Sequence, residues 1–197
     1  MLLSTLLTAA AVFSACGNDP APSVTPSSGE VTAIPTETSS EEATLPEPAP
    51  SFTAVDLAGK EVTDAIFSGH KLTMVNIWGT YCGPCIREMP ELGKLSAEYA
   101  DKGVQIIGII CDSADYAYQP IDSVLTSAQS IIMQTGANYR HLVLSESLST
   151  RFMQGVTAVP TTFFVDETGK TIGEAVIGSR SYEQWKAVFE KLLSEAE

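Results

Sequence analysis

The chain has 197 residues with 24 Asp and Glu against 11 Lys and Arg, a net charge of −13, and four cysteines. No Lys or Arg precedes Lys60, and seven of the 11 prolines lie between Pro20 and Pro50, so residues 51–197 hold every basic residue, 18 acidic ones and a net −7. The acidic balance excludes a nucleic-acid partner, which needs a basic face; four cysteines are too few for a disulfide scaffold; and about 147 residues can build one core without such staples.

Residues 1–16 carry no charge and are mostly apolar, and the run stops at Cys16, short of the roughly 20 residues that a spanning helix needs. Ser14 and Ala15 supply the small-residue context of an export cleavage site. The stretch Phe13, Ser14, Ala15, Cys16 resembles a bacterial lipobox, which implies that Cys16 is lipidated and anchors the protein extracytoplasmically to the bacterial cell membrane. Plain secretion and an uncleaved anchor are the alternative readings of the same run. Residues 17–50 follow with ten Ser or Thr, seven Pro, six acids and no aromatic. Such a segment buries too little apolar surface to offset its ordering entropy, so a disordered tether is expected, with a reach of about 30 to 35 Å.

From Ser51 onward short apolar runs alternate with longer amphipathic stretches, the pattern of an α/β domain over 51–197. Residues 52–57 and 62–67 bracket the Gly59-Lys60 turn and read as a small hairpin or edge elements. Residues 72–78 form a buried central strand and 84–99 a helix closed by Lys102-Gly103. A second buried strand covers 104–110. An inserted helix is expected at 120–134, a short strand at 141–144, a short helix at 148–154 and a strand at 161–165. After a turn at Thr168-Gly169, a last strand is expected over 171–177. The terminal helix spans 182–193 and carries Trp185, Val188, Phe189, Leu192 and Leu193 on one face.

Between the first central strand and its helix lies Trp78-Gly79-Thr80-Tyr81-Cys82-Gly83-Pro84-Cys85. A helix N-terminus offers unpaired N–H groups and a positive dipole end, which stabilise a thiolate at Cys82 and make it the nucleophile. A spacing of three brings the Cys85 sulfur within bridging distance, so Cys85 can resolve a mixed disulfide formed at Cys82. Pro84 suits a first helical turn. A zinc site finds no four ligands, since Cys16 and Cys111 lack ligand spacing to the pair and His70 and His141 stand alone. Haem attachment needs a His where Ile86 stands. A purely structural bridge would close too short a loop to matter. No metal and no cofactor is expected.

Residues 72–90, with the WGTYCGPC core and the following IREMP, resemble the TlpA/ResA-type, extracytoplasmic branch of the thioredoxin-like thiol-disulfide oxidoreductases. The resemblance extends over about 51–193 through Pro50-x-Phe52, Gly103-Val104, Val159-Pro160-Thr161-Thr162 and Asp166-x-x-Gly169-Lys170. It implies a thioredoxin-like fold: a central mixed sheet of about five strands flanked by helices, with an N-terminal β-hairpin and an inserted helix. Asn76 occupies the position where general thioredoxins carry a buried acid. Glu88, one turn after Cys85 on the same face, can take over proton transfer as a third catalytic residue, the alternative being a solvated glutamate. Pro160 after Val159 matches the family's cis-proline beside the disulfide, where backbone pairs with an extended substrate segment; an ordinary turn proline is the alternative. Gly83 and Pro84 join this client-binding surface. Trp78 and Tyr81 resemble the aromatics that flank the family's site, or are simple packing. Pro90 should kink the helix, and Cys111 reads as a small core residue rather than a third redox thiol. His70 and His141 receive no role.

The expected activity is that of a membrane-tethered reductase of protein disulfides. Its partners would be disulfide-containing clients and a membrane thiol carrier as reductant, and it would act as a monomer. Two other classes compete. A peroxiredoxin-like peroxidase would have Thr three residues before its cysteine, where this chain has Gly79 and only then Thr80. A non-catalytic lipoprotein binding module would merely retain the fold.

Overall fold

A computed structural model of the protein describes residues 50–195; the leader and lipidation expected at 1–16 and the tether expected at 17–50, save its last residue, lie outside the described residues. The described residues build a seven-stranded sheet in the order β2 (Glu61–Thr63), β1 (Thr53–Asp56), β5 (Arg140–Val143), β4 (Val104–Ile110), β3 (Leu72–Trp78), β6 (Thr161–Val165) and β7 (Val176–Ile177). Its centre is β3, every residue of which is buried, paired in parallel with β4 and antiparallel with β6. These strands are mostly apolar along their whole length rather than alternating, as expected when both faces of a strand are covered. The hairpin of β1 and β2 joins this sheet by pairing β1 antiparallel to β5. Residues 64–67, expected as strand, form a 3-10 turn instead.

Alternation along β3 sorts its side chains onto two faces. Leu72, Met74 and Trp78 pack with Met89, Leu92 and Leu95 of α1 (Gly83–Tyr99), with α2 (Asp122–Thr135), and with Trp185 and Phe189 of α4 (Tyr182–Glu195). Val75 and Ile77 face Leu148 and Phe152 of α3 (Glu146–Phe152) and the rings of Phe52 and Phe67. Phe52, Phe67 and Phe152 meet edge to face with centroids 5.9 to 6.4 Å apart, the arrangement that the ring quadrupole prefers. Asn76, an even-numbered residue of β3, therefore belongs to the α1 face. No helix among the described residues is long and apolar enough to cross a membrane.

Three boundaries differ from expectation for local reasons. Helix α2 starts at Asp122, because Pro120 bridges Ala114 across a small closed loop. Helix α3 starts at Glu146, since the Ser145 hydroxyl accepts from the Leu148 N–H and caps the helix earlier than the apolar pattern indicates. The last strand shrinks to β7 (Val176–Ile177): Thr171 bridges Val165, and Gly173 at φ 66° then turns the chain out of the ladder. Helix α1 runs through Pro90 unbroken, although the Ile86 carbonyl loses its partner there.

Candidate active site

The strand end at Trp78 and the loop 79–81 deliver Cys82 to the N-cap of α1. The sulfur of Cys82 accepts from the backbone N–H of Cys85 at 3.2 Å, as an N-cap side chain does. Cys82 and Cys85 form a disulfide, with Cα atoms 5.3 Å apart. Cys82 is 5% exposed and Cys85 1%, so an incoming thiol or disulfide reaches Cys82 first. Gly83 and Pro84 are exposed beside it. The peptide between Val159 and Pro160 is cis, and the Val159 carbonyl oxygen lies 3.5 Å from the Cys82 sulfur. Val159 is half-buried and Pro160 buried. Residues 77 positions apart thus meet at one sulfur.

Helix α1 buries Cys85, Glu88, Met89, Leu92, Leu95 and Tyr99 along one stripe, so Glu88 is an acid inside an apolar row. It is 3% exposed, which removes the solvated alternative. Its Oε1 accepts from Asn76 Nδ2 at 3.1 Å, and its Oε2 accepts from the Arg180 backbone N–H at 3.0 Å and from Trp185 Nε1 at 3.3 Å. Burial pushes the Glu88 carboxyl up from its ordinary value, while these three donors and the nearby Arg180 guanidinium pull it part of the way back. Asn76 Nδ2 also donates to Thr162 Oγ1 at 3.1 Å, a pairing set by the register that places Asn76 opposite Thr162.

Trp78 is corrected from a client-binding residue to a support. It is fully buried and reaches no surface. Its Nε1 donates to Nδ1 of His141 at 3.1 Å, and His141 Nε2 lies 3.0 Å from the Ala137 carbonyl, which makes Nε2 the protonated nitrogen. Burial pushes His141 down to about 4, so the ring is neutral at physiological pH. This pair exists because residue 108 is glycine: a Cβ there would stand 2.4 Å from His141 Nδ1 and 3.0 Å from Trp78 Nε1. Gly108→Ala is expected to cost about 3 kcal/mol through overpacking and loss of the buried hydrogen bond. A lower urea midpoint with an unchanged slope is the check, and an unshifted midpoint would show that the strand absorbs the methyl.

Tyr81 stays on the surface, 71% exposed. Its hydroxyl lies 3.8 Å from the sulfur of Cys111, and its ring lies over Gly79, where a Cβ would come within 2.8 Å of it. Cys111 is a free, half-buried thiol that packs against the edge of the core beside this ring. Burial is the main cause pushing it up, which keeps it protonated and poorly nucleophilic. Thr80 is fixed by Asp112, which accepts from its backbone N–H at 3.1 Å and from its hydroxyl at 2.5 Å.

Sequence patterns left Arg180, Trp185 and Asp112 without a place at the site. Arg180 acts through a backbone N–H, which leaves no trace in residue type. Trp185 looks like one more apolar residue of α4, although an indole N–H in a core implies a buried acceptor. Asp112 carries no motif at all.

Comparison with known proteins agrees with this geometry. The redoxin family matches residues 44–181. The thiol-disulfide oxidoreductase ResA of Bacillus thuringiensis subsp. konkukian is 32% identical over 155 residues, 79% of this chain and 82% of its own, and that of Bacillus anthracis is 31% identical over 144 residues, 73% and 76%. Among solved structures, a thiol:disulfide interchange protein of the thioredoxin family from Chlorobium tepidum superposes with a TM-score of 0.61 at 26% identity, covering 74% of this chain and 94% of that one. A pair of cysteines on a thioredoxin-like sheet, matched over most of the chain by such relatives, leaves one conclusion: the protein belongs to the redoxin family and is a thiol-disulfide oxidoreductase of the ResA type.

Proposed function

We propose that this oxidoreductase works as a reductase of protein disulfides outside the cytoplasm, tethered to the membrane through lipidated Cys16. The observation that carries the direction of attack is the asymmetry of the pair: Cys82 sits at the helix N-cap with some exposure, while Cys85 is 1% exposed beneath it. In the reduced enzyme the Cys82 thiolate attacks one sulfur of a client disulfide. The client's S–S bond breaks, its second sulfur leaves as a thiolate, and a mixed disulfide joins client to Cys82. Cys85 then gives its proton to Glu88, and its sulfur attacks Cys82, expelling the client's remaining thiolate. The client gains two electrons and takes up two protons, and Cys82 and Cys85 are left as the disulfide. A membrane thiol carrier returns them to the dithiol, giving up two electrons as its own thiols become a disulfide. The exposed Gly83 and Pro84, Tyr81, and the backbone of Val159 beside Pro160 form the surface for an extended client segment.

Resemblance to the family allows two client classes: apocytochrome c thiols before haem attachment, and oxidised surface proteins such as methionine sulfoxide reductases. Peroxidase chemistry is disfavoured, because the Thr80 hydroxyl is committed to Asp112. The reductase direction follows from the Gly83-Pro84 dipeptide that general thioredoxins share and from the lack of a His between the cysteines. Equilibration of the full chain against defined thiol-disulfide buffers should give a midpoint nearer thioredoxin's value of about −270 mV than the strong-oxidant value of about −120 mV, and a midpoint above about −180 mV would reverse the proposed direction.

A further inference from the structure

One buried polar atom beside the site has no use in the arrangement just described. Asn76 is 1% exposed, and its Nδ2 spends both hydrogens, on Glu88 Oε1 and on Thr162 Oγ1. Its Oδ1 is buried with no hydrogen-bond partner among the described residues. An orphaned carbonyl oxygen in a core is costly and calls for an explanation.

Glu88 supplies one. Both partners of its Oε2, the Arg180 backbone N–H and the Trp185 indole N–H, can only donate. A proton arriving on Glu88 must therefore reside on Oε1, the oxygen that faces the amide of Asn76. The new O–H needs an acceptor, and the group bonded to Oε1 among the described residues, Asn76 Nδ2, can only donate, so in this orientation the O–H goes unpartnered. Turning the amide over brings Oδ1 into that place, where it accepts from the Glu88 carboxyl and, after rotation of a hydroxyl that can donate or accept, from Thr162 as well. We propose that Asn76 is a positioning residue that tracks the protonation of Glu88, presenting Nδ2 to the carboxylate and Oδ1 to the carboxylic acid. One amide then serves both states, at the cost of one unpartnered group in each. An aspartate at 76 could not donate to the charged form, and a leucine could do neither.

The inference rests on the relay role of Glu88 given above. The other groups facing Glu88 do not offer an equivalent acceptor. The Arg180 guanidinium lies 5.8 Å from the Trp185 ring and carries a fixed positive charge. Tyr139, just before β5, has a hydroxyl that burial first and the Glu88 charge second hold protonated, and among the described residues it makes no hydrogen bond to Glu88 or to any other group. Cys85 is in disulfide form.

Nuclear magnetic resonance of the oxidised full chain tests this directly. The side-chain amide signals of Asn76 should move between two limits with the midpoint of the Glu88 carboxyl carbon. Glu88→Gln, whose oxygen can accept from Arg180 and Trp185 and so turns its NH2 toward Asn76, should hold those signals at the low-pH limit at every pH. Asn76 signals that stay constant while Glu88 titrates, or that sit at the high-pH limit in Glu88→Gln, overturn the proposal. In the reduced enzyme, Asn76→Leu removes a hydrogen bond to a charged group, so the attack by Cys85 should slow about tenfold and its pH limb move to higher pH. In a Glu88→Gln background the same substitution should slow nothing further, and additional slowing there would make Asn76 an independent structural residue. An undiminished resolving step in Glu88→Gln alone would instead remove the relay, a failure recognisable because Asn76 and Glu88 would still titrate together.

Discussion

Replacing Cys85 with serine is expected to stop the cycle halfway, leaving Cys82 covalently joined to its clients. The nucleophile is untouched: Cys82 keeps its N-cap place and the 3.2 Å approach of the residue 85 N–H, which is backbone and survives the substitution. Only the second displacement is lost. In the wild type that step is intramolecular, with Cα atoms 5.3 Å apart, and such positioning corresponds to effective concentrations that no thiol in solution approaches. Turnover with a protein disulfide should accordingly fall by about 10³-fold or more, as the mixed disulfide waits for an external thiol. Mass spectrometry of Cys82-linked adducts from intact cells would then identify the clients and choose between the two classes. Cys82→Ser/Cys85→Ser should give none. Recovering no adduct of Cys85→Ser, from cells in which the wild type cycles between oxidised and reduced forms, would show that the substrate is not a protein.

Much of this architecture is legible in residue order because it depends on local rules. The strands over 72–78 and 104–110 are covered on both faces, so predominantly apolar runs, interrupted only by Thr73, Asn76 and Gln105 among polar residues, bound them to the residue. The start of α1 is marked by Cys82, Gly83 and Pro84, since an N-cap sulfur and a first-turn proline need no distant partner. Spacing alone puts Glu88 on the Cys85 face of α1. What spacing cannot supply is the roof over Glu88, because its donors Arg180 and Trp185 lie 92 and 97 residues away. Trp78 shows the complementary failure. An aromatic next to a redox motif fits either the surface or the core, and the choice was made by Gly108 and His141 on neighbouring strands. At Cys111 the end of a buried strand coincides with the edge of the active-site loop, so strand burial gave way to partial exposure under Tyr81. The shortened last strand follows the same logic, because one glycine turned the chain out of an otherwise strand-like segment.

Glu88→Gln separates the two displacements that Cys85→Ser cannot. With a chromogenic aromatic disulfide, the reduced enzyme releases one coloured thiolate when Cys82 attacks and a second when Cys85 does. The first phase should be unchanged, because the Cys82 thiolate is stabilised by the helix N-terminus and not by Glu88. The second should slow by about 10²-fold, the usual contribution of a positioned general base. Its pH dependence follows from the direction of the Glu88 shift. Burial raises that carboxyl, and only the ionised form can take the Cys85 proton. The second phase of the wild type should therefore rise as pH climbs through the raised Glu88 value, and the glutamine variant should lack that limb. Stability moves the opposite way. A carboxyl whose folded value is raised favours the fold below its ordinary value, and this contribution is lost as pH rises through the folded one. Urea unfolding should thus show the variant gaining on the wild type as pH increases across that window, even as its second phase falls behind. A variant whose second phase keeps the wild-type rate and pH limb would place the proton of Cys85 on some other group.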